Sequence, residues 1–150
     1  MRIWTSYFGN TKLPSGLPKI SIAGGPPTGW REGGNLEYRR LAPKYDWWRQ
    51  WHEQKLSVSW YIERYNSTVL SKLNVPDVVS ELIALAGGSD ELCLLCYEKP
   101  SESWFCHRQL VRGWINDYYR SQRVRGWVSY EWKENFKNGE KPSFIQMELL

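Results

Sequence analysis

The feature that most constrains the fold is a continuous apolar run at residues 92–96 (LCLLC), set between two segments with helical periodicity. The earlier segment has a clean apolar face and stops at Gly87-Gly88, and the later one resumes the helical spacing from Leu110 to Tyr118. A short run that is apolar throughout is typical of a strand buried on both faces. The order helix, strand, helix predicts an α/β fold: a single-domain, Rossmann-like open sheet, largely parallel and flanked by helices.

Weaker patterns extend this sheet and its helices. Three further segments are predicted strands: residues 2–8 (RIWTSYF), 19–23 (KISIA) and 143–150 (SFIQMELL). Three residues are suited to the starts of helices: Pro43, Ser57 and Asn74. Residues 1–150 are expected to form one domain, in which the segment from 120 to 150 is a variable C-terminal extension.

The composition is that of a globular protein with a mildly basic surface. Hydrophobic residues make up 41% and charged residues 24% of the chain, and its net charge is +4. This charge is compatible with an anionic ligand and equally with an ordinary basic surface. Three cysteines are a poor basis for a disulfide framework, so a cytoplasmic location is expected. No apolar run approaches the roughly 18 residues that a membrane span needs, which predicts no membrane partner.

All three cysteines lie within residues 93–110 (CLLCYEKPSESWFCHRQL). A zinc site is disfavoured because residues three apart in a strand point to opposite faces, so Cys93 and Cys96 cannot bind one ion. Adjacent Cys106 and His107 would also be an unusual chelating pair. A thioredoxin-type redox pair is disfavoured because that motif opens a helix, whereas this one ends a strand. No metal site is predicted.

The favoured alternative is a polar site where the buried strand ends. Cys96 and Glu98 fall on one side of the strand at its carboxyl end, where parallel sheets deliver functional groups. Cys106, His107 and Arg108 then open the next helix, whose first turn favours a thiolate and an anion. The competing interpretation is structural: Cys96 and His107 are packed in the core, and Glu98 pairs with Arg108 as a clamp.

These positions resemble the signature of the DUF488 family, a group of small bacterial and phage proteins of unknown function. That signature is an apolar strand running into C-x-E, a loop with a proline, and C-H-R at the start of a helix. The matching residues are Cys96, Glu98, Pro100, Cys106, His107 and Arg108. Residues 3–8 (IWTSYF) resemble the family's first strand, and residues 38–48 (YRRLAPKYDWW) resemble a segment of its smaller members. The resemblance implies an α/β fold and a shared site, but no substrate.

The first functional hypothesis is a small enzyme or binding domain for an anionic, planar, nucleotide-like ligand. Cys106 would be the nucleophile or a structural thiol, and His107 or Glu98 the acid or base. Arg108 would clamp the anion beside Cys96. Further ligand contacts are expected from the end of the first strand and from the Gly- and Pro-rich loop: Ser6, Tyr7, Arg31, Tyr38 and Arg39. The sequence has no Walker A or dinucleotide-binding pattern, so no cofactor is predicted.

Two other functions are compatible with the sequence. Arginines alternate with aromatic residues between Arg112 and Trp127, as they do in surfaces that bind nucleic acid. The same pattern is typical of a solvated helix face beside a core stripe. A phage-type protein that inhibits or sequesters a host component also fits the composition. An enzyme requires a concave pocket at the cysteine stretch, whereas a nucleic-acid-binding protein requires an open positive surface.

Overall fold

The computed structural model describes residues 1–99, 105–124 and 128–133 of the 150-residue chain. It contains a five-stranded sheet with the strand order β3-β2-β4-β1-β5. The strands are β1 (Arg2–Tyr7), β2 (Lys19–Ser21), β3 (Leu36–Glu37), β4 (Glu91–Cys96) and β5 (Val128–Glu131). The helices are α1 (Tyr45–Gln54), α2 (Val58–Thr68), α3 (Val75–Leu85) and α4 (His107–Ser121), with short 3-10 turns at Arg39–Leu41 and Leu70–Lys72. All pairs of neighbouring strands are parallel, and the predicted α/β fold is confirmed.

The apolar run of the sequence forms the central strand of this sheet. β4 lies between β2 and β1, and its side chains from Leu92 to Cys96 are buried. Leu92 and Leu94 pack against the helices, whereas Cys93 and Leu95 pack against the opposite layer. Because both faces of the strand are covered, its sequence needs no alternation of polar and apolar residues.

The four helices contribute to one hydrophobic cluster on one face of the sheet, and short polar side chains fix where two of them begin. The Ser57 side chain accepts a hydrogen bond from the Trp60 amide at 3.1 Å, and Asn74 accepts one from the Asp77 amide at 3.1 Å. Such caps satisfy amides that the first helical turn leaves unpaired, and both predicted helix starts are confirmed. After α3, Gly87 adopts a φ of +71°, a left-handed conformation that side chains with a Cβ avoid.

The opposite face of the sheet is covered by loop residues and by the segment after α4. Trp4 of β1 packs edge-on against Tyr130, with ring centroids 4.2 Å apart. Leu13, Leu17 and Trp132 belong to the same hydrophobic cluster. Tyr130 lies in β5, which pairs with β1 and so joins the segment after residue 120 to the sheet. The sequence patterns did not identify this strand.

Three other sequence predictions differ from the structure or fall outside it. α1 begins at Tyr45 rather than at Pro43. The two-residue strand β3 was missed because so short a segment has no period to recognise. The strand predicted at residues 143–150 lies outside the described residues. Within the described part of the chain, no helix is long and apolar enough to cross a membrane.

Candidate active site

Two thiols and one imidazole meet at the carboxyl end of the central strand. Cys96 is the last residue of β4, Cys106 is the N-cap of α4, and His107 is the first residue of that helix. His107 Nδ1 lies 3.6 Å from Cys96 Sγ and 3.7 Å from Cys106 Sγ. The three ligand-type atoms lie within 4.8 Å of one another, and all three residues are buried. We refer to these three residues as the Cys-Cys-His cluster.

The orientation of His107 is fixed by a backbone carbonyl. Its Nε2 lies 2.8 Å from the carbonyl oxygen of Ile22, directly after β2. A carbonyl oxygen can only accept, so Nε2 carries the hydrogen and donates it. In the neutral ring, Nδ1 then presents its lone pair to both sulfur atoms. The imidazole is therefore oriented either to accept a thiol proton or to bind a metal ion.

The two thiols of the cluster differ in their affinity for a proton. A hydrogen bond with Cys96, aided by His107 and Arg108, holds the pKa of Cys106 well below its usual value despite burial. The same hydrogen bond, together with burial, raises the pKa of Cys96 well above its usual value. Cys106 also lies at the positive end of the 15-residue helix α4, which favours an anion there. Cys106 is therefore the thiol of the pair that loses its proton more readily.

The cluster lines a cavity of about 400 Å³ whose walls are largely aromatic. Six aromatic side chains line it: Tyr45, Trp48, Trp51, Tyr61, Tyr97 and Phe105. The other lining residues outside the cluster are Glu98, Ala23, Gly24, Gly25 and Pro43. Tyr97 donates a hydrogen bond from its hydroxyl to the carbonyl of Gly25 at 2.5 Å, which ties β4 to the loop after β2. A concave, apolar cavity with a few polar groups is the usual form of a small-molecule site.

The structure brings together four of the five residues of the predicted C-E and C-H-R motifs. Cys96, Glu98, Cys106 and His107 line the same cavity, with the Glu98 side chain exposed. Arg108 is not among the residues that line it, and its side chain is 0% exposed. Its Nε donates to Glu131 of β5, at 2.8 Å to Oε1 and 3.2 Å to Oε2. The carboxylate bound to the Arg108 Nε thus comes from β5, whereas sequence reasoning had considered Glu98.

The remaining predicted ligand contacts lie away from the cavity lining. Tyr7 is paired in register with Cys96, but neither Tyr7 nor Ser6 lines the cavity, and Ser6 accepts a hydrogen bond from Asn10. Three residues of the Gly- and Pro-rich loop are held by carboxylates instead: Arg31 and Arg39 by Glu37, and Tyr38 by Glu81. The loop contributes to the cavity through Gly24 and Gly25 rather than through its charged residues.

Sequence reasoning missed two parts of this region. Tyr45, Trp48 and Trp51 follow one another at intervals of three along α1 and line the same cavity. That spacing places residues on one helical face, so it was a readable signal for an aromatic wall. Glu131 carried no comparable signal, because nothing in a short edge strand indicates which buried cation it will meet.

The basic and aromatic residues after Arg108 do not all lie on one open surface. Arg112 is half-buried, and burial lowers its pKa. Tyr119 is buried in the core, and Arg120 contacts Asp117 at 3.4 Å. Arg123 is exposed, while residues 125–127 lie outside the described residues. In the part of this segment that the structure describes, the exposed arginines are therefore Arg120 and Arg123.

Comparison with known proteins identifies a family model that matches most of the chain. Residues 5–119 match the family model DUF488-N3a, which is described as the active DUF488-N3 subclade. The match begins within β1, ends within α4 and includes the whole Cys-Cys-His cluster. No curated protein and no solved structure matches the chain.

Proposed function

The chain belongs to the DUF488 family, and we propose that it is a small enzyme that binds an anionic, nucleotide-like compound in the aromatic cavity. Cys106, His107 and Glu98 are its proposed catalytic residues. The observation that carries the proposal is that the Cys-Cys-His cluster and six aromatic side chains line one cavity. Reactive groups and a surface suited to a planar ligand therefore lie at the same place. The three free cysteines suit the cytoplasmic location proposed from the sequence.

The planar part of the ligand is proposed to bind against α1. Trp48 lines the cavity and already stacks on His52, with ring planes 5° apart and centroids separated by 5.2 Å. Flat aromatic faces of this kind hold nucleobases by stacking, largely without regard to which base is present. The anionic part would lie towards the start of α4, where the N-cap Cys106 and the first helical residue His107 line the cavity. Helix N-termini favour phosphate and carboxylate groups.

The chemistry is proposed to begin at the Cys106 sulfur. In the metal-free protein, His107 Nδ1 accepts the thiol proton as Sγ forms a bond to an electrophilic atom of the ligand. The leaving group departs with the bonding electron pair and receives that proton from Nδ1. Glu98, exposed at the same cavity, would then activate the water that releases the bound product.

A thermal-shift screen tests the binding part of this proposal. Nucleotides, nucleosides and short oligonucleotides are each added to the full chain, and a ligand that binds only the folded state raises Tm. We expect a nucleotide to raise Tm in the parent protein and in Trp60→Ala but not in Trp48→Ala. Trp60 is a matched control because it is a half-buried tryptophan on α2 that does not line the cavity.

Two outcomes would contradict the proposal. If Trp48→Ala folds and keeps the full nucleotide shift, the aromatic cavity is not the binding site. If only oligonucleotides raise Tm, and Arg120→Ala with Arg123→Ala removes the effect, the alternative function of nucleic-acid binding on the exposed arginines is favoured. That alternative also predicts a steep loss of affinity with added salt, since phosphate contacts release counterions.

A further inference from the structure

The Cys-Cys-His cluster has the geometry of a metal site, and we propose that Cys96, Cys106 and His107 bind one zinc ion that faces the aromatic cavity. Their ligand-type atoms lie within 4.8 Å of one another. Two thiol sulfurs and an imidazole nitrogen are ligands that zinc prefers over magnesium or calcium.

The nitrogen-to-sulfur distances within the cluster match those around a tetrahedral zinc ion. Zinc bonds of about 2.3 Å to sulfur and about 2.0–2.1 Å to nitrogen place S and N about 3.5 Å apart in a tetrahedron. The two corresponding separations in the structure are 3.6 Å and 3.7 Å, both from His107 Nδ1. The imidazole nitrogen therefore lies close to the distance from each sulfur that a shared zinc ion requires, and the three ligand-type atoms all lie within 4.8 Å of one another.

The surroundings of His107 support a metal ligand in a second, independent way. A histidine that binds a metal through one ring nitrogen almost always donates the other N–H to a carbonyl or carboxylate, which fixes its orientation. The Nε2 bond to the Ile22 carbonyl at 2.8 Å fulfils that requirement before any ion arrives. Nδ1 is then the nitrogen left to coordinate, and it is the one directed at both sulfurs.

The described residues supply three ligands here, and all three line the cavity. Three protein ligands with a position open to a cavity are characteristic of a catalytic zinc, whereas structural zinc has four protein ligands. A water molecule from the cavity would complete the tetrahedron. The ion would neutralise two thiolates, so that no net charge is left buried at the cluster.

The sequence disfavours zinc on two grounds, the opposite orientation of Cys93 and Cys96 and the adjacency of Cys106 and His107. Cys93 and Cys96 do face opposite layers, as strand alternation requires, and cannot share an ion. The adjacent pair, Cys106 and His107, differs from an ordinary pair of neighbours because it spans the start of α4. In the structure, Cys106 lies outside the helix with φ of −151° while His107 lies in its first turn, and this change of direction lets both side chains meet Cys96.

The zinc proposal rests on the proposed function only in that both assign the chemistry to the Cys-Cys-His cluster. With zinc bound, Cys106 is a ligand rather than the nucleophile. Nucleotide recognition by the aromatic wall does not depend on this change. Zinc binding and nucleotide binding can therefore fail separately: Trp48→Ala should lose the nucleotide shift and keep the metal.

The test uses the full chain, stripped of metal under reducing conditions and titrated with zinc against a colorimetric chelator. We expect one zinc per chain. Cys96→Ser and Cys106→Ser should each lower the zinc affinity by about tenfold to hundredfold or more, because loss of a hydrogen-bond partner of a metal ligand alone has an effect of that size. Cys93→Ala is the matched control, because that thiol lies three residues earlier in the same strand on its other face.

A spectroscopic measurement keeps the proposal testable if the variants do not fold. Cobalt(II) added to the metal-free parent should give intense visible bands typical of tetrahedral coordination and a thiolate-to-cobalt charge-transfer band. Zinc should also slow alkylation of Cys106 but not of Cys93. Less than half an equivalent of zinc, unchanged affinity in both serine variants that fold, or a cobalt spectrum without thiolate bands would each overturn the proposal.

Discussion

The buried ion pair between Arg108 and Glu131 gives a prediction that separates a structural role from a ligand-binding one. Replacing Arg108 with Ala leaves the Glu131 carboxylate in a site where its side chain is only 8% exposed. Removing one partner of a buried pair costs about 3–5 kcal/mol, because the other charge stays buried without compensation. That is a large share of the about 5–15 kcal/mol by which a domain is usually stable.

The loss of stability should also depend on pH. Burial raises the pKa of Glu131 above its ordinary 4.5, against the opposing effects of Arg108 and Arg112 and with a smaller rise from Cys106. Without Arg108 this pKa rises further, so the folded variant binds a proton that the unfolded chain releases. A folded-state pKa above the unfolded value adds stability at low pH that is lost as pH rises. Arg108→Ala should therefore be less destabilised at about pH 5 than at about pH 8.

Glu131→Gln is the complementary variant. It leaves the Arg108 guanidinium buried, and a guanidinium cannot lose its charge at ordinary pH. We expect a similar loss of stability at about pH 8, and, because Gln does not titrate, the partial recovery at low pH that is expected for Arg108→Ala should be absent. Arg120→Ala, an exposed arginine on the same helix, is the control and should change stability by less than about 0.5 kcal/mol.

Urea denaturation followed by circular dichroism provides the measurement, with stability taken by linear extrapolation at each pH. The reasoning is refuted if Arg108→Ala loses less than about 1 kcal/mol, well below the range expected for a broken buried pair. It is also refuted if the loss in Arg108→Ala is the same at both pH values, since Glu131 would then not respond to its missing partner.

Three further predictions concern single side chains. After chelator treatment, Cys106 should be alkylated faster than Cys93, because Cys106 lines the cavity whereas Cys93 is wholly buried on the other face of the sheet. Mass spectrometry that shows equal, slow modification of both thiols would contradict this. Asn74→Ala should cost about 1 kcal/mol in urea unfolding through loss of the α3 cap, and an unchanged midpoint would argue against the cap. Tyr65→Phe should lower the free energy of unfolding by about 1–2 kcal/mol, because the buried Leu41 carbonyl loses the hydroxyl that donates to it at 2.7 Å. An unchanged free energy of unfolding would mean that water replaces the hydroxyl.

The parts of the fold that were predictable are those in which local sequence decides the structure. The Asn74 side chain caps the first turn of the helix that follows it. The run at residues 92–96 is apolar at every position, so both faces of its strand are expected to be buried. Cys96 could be assigned to the end of a strand, and Cys106 to the start of a helix, from neighbouring residues alone. Their convergence then follows from strand order, which the sequence pattern could only suggest.

The parts that were not predictable depend on pairs of residues far apart in the chain. Arg108 and Glu131 are 23 positions apart, and no periodicity connects a helix start to a particular edge strand. Tyr38 looked available for a ligand, but its hydroxyl donates a hydrogen bond to Glu81, 43 positions later in the chain. The partner of a charged side chain is decided by tertiary contacts, so its role is difficult to infer from sequence alone.

The pairing of β5 with β1 has a consequence for where this protein can be cut. The recognisable family region ends at residue 119, whereas the carboxylate bound to the Arg108 Nε lies beyond it in β5. A fragment trimmed to the family boundary would turn β1 into an edge strand with unpaired backbone groups, which invites association with other chains. It would also lose Glu131, the carboxylate that pairs with the Nε of the buried Arg108. Sequence similarity thus marks what this chain shares with its family, while the smallest unit that keeps both the β1–β5 pairing and the Arg108–Glu131 ion pair is longer.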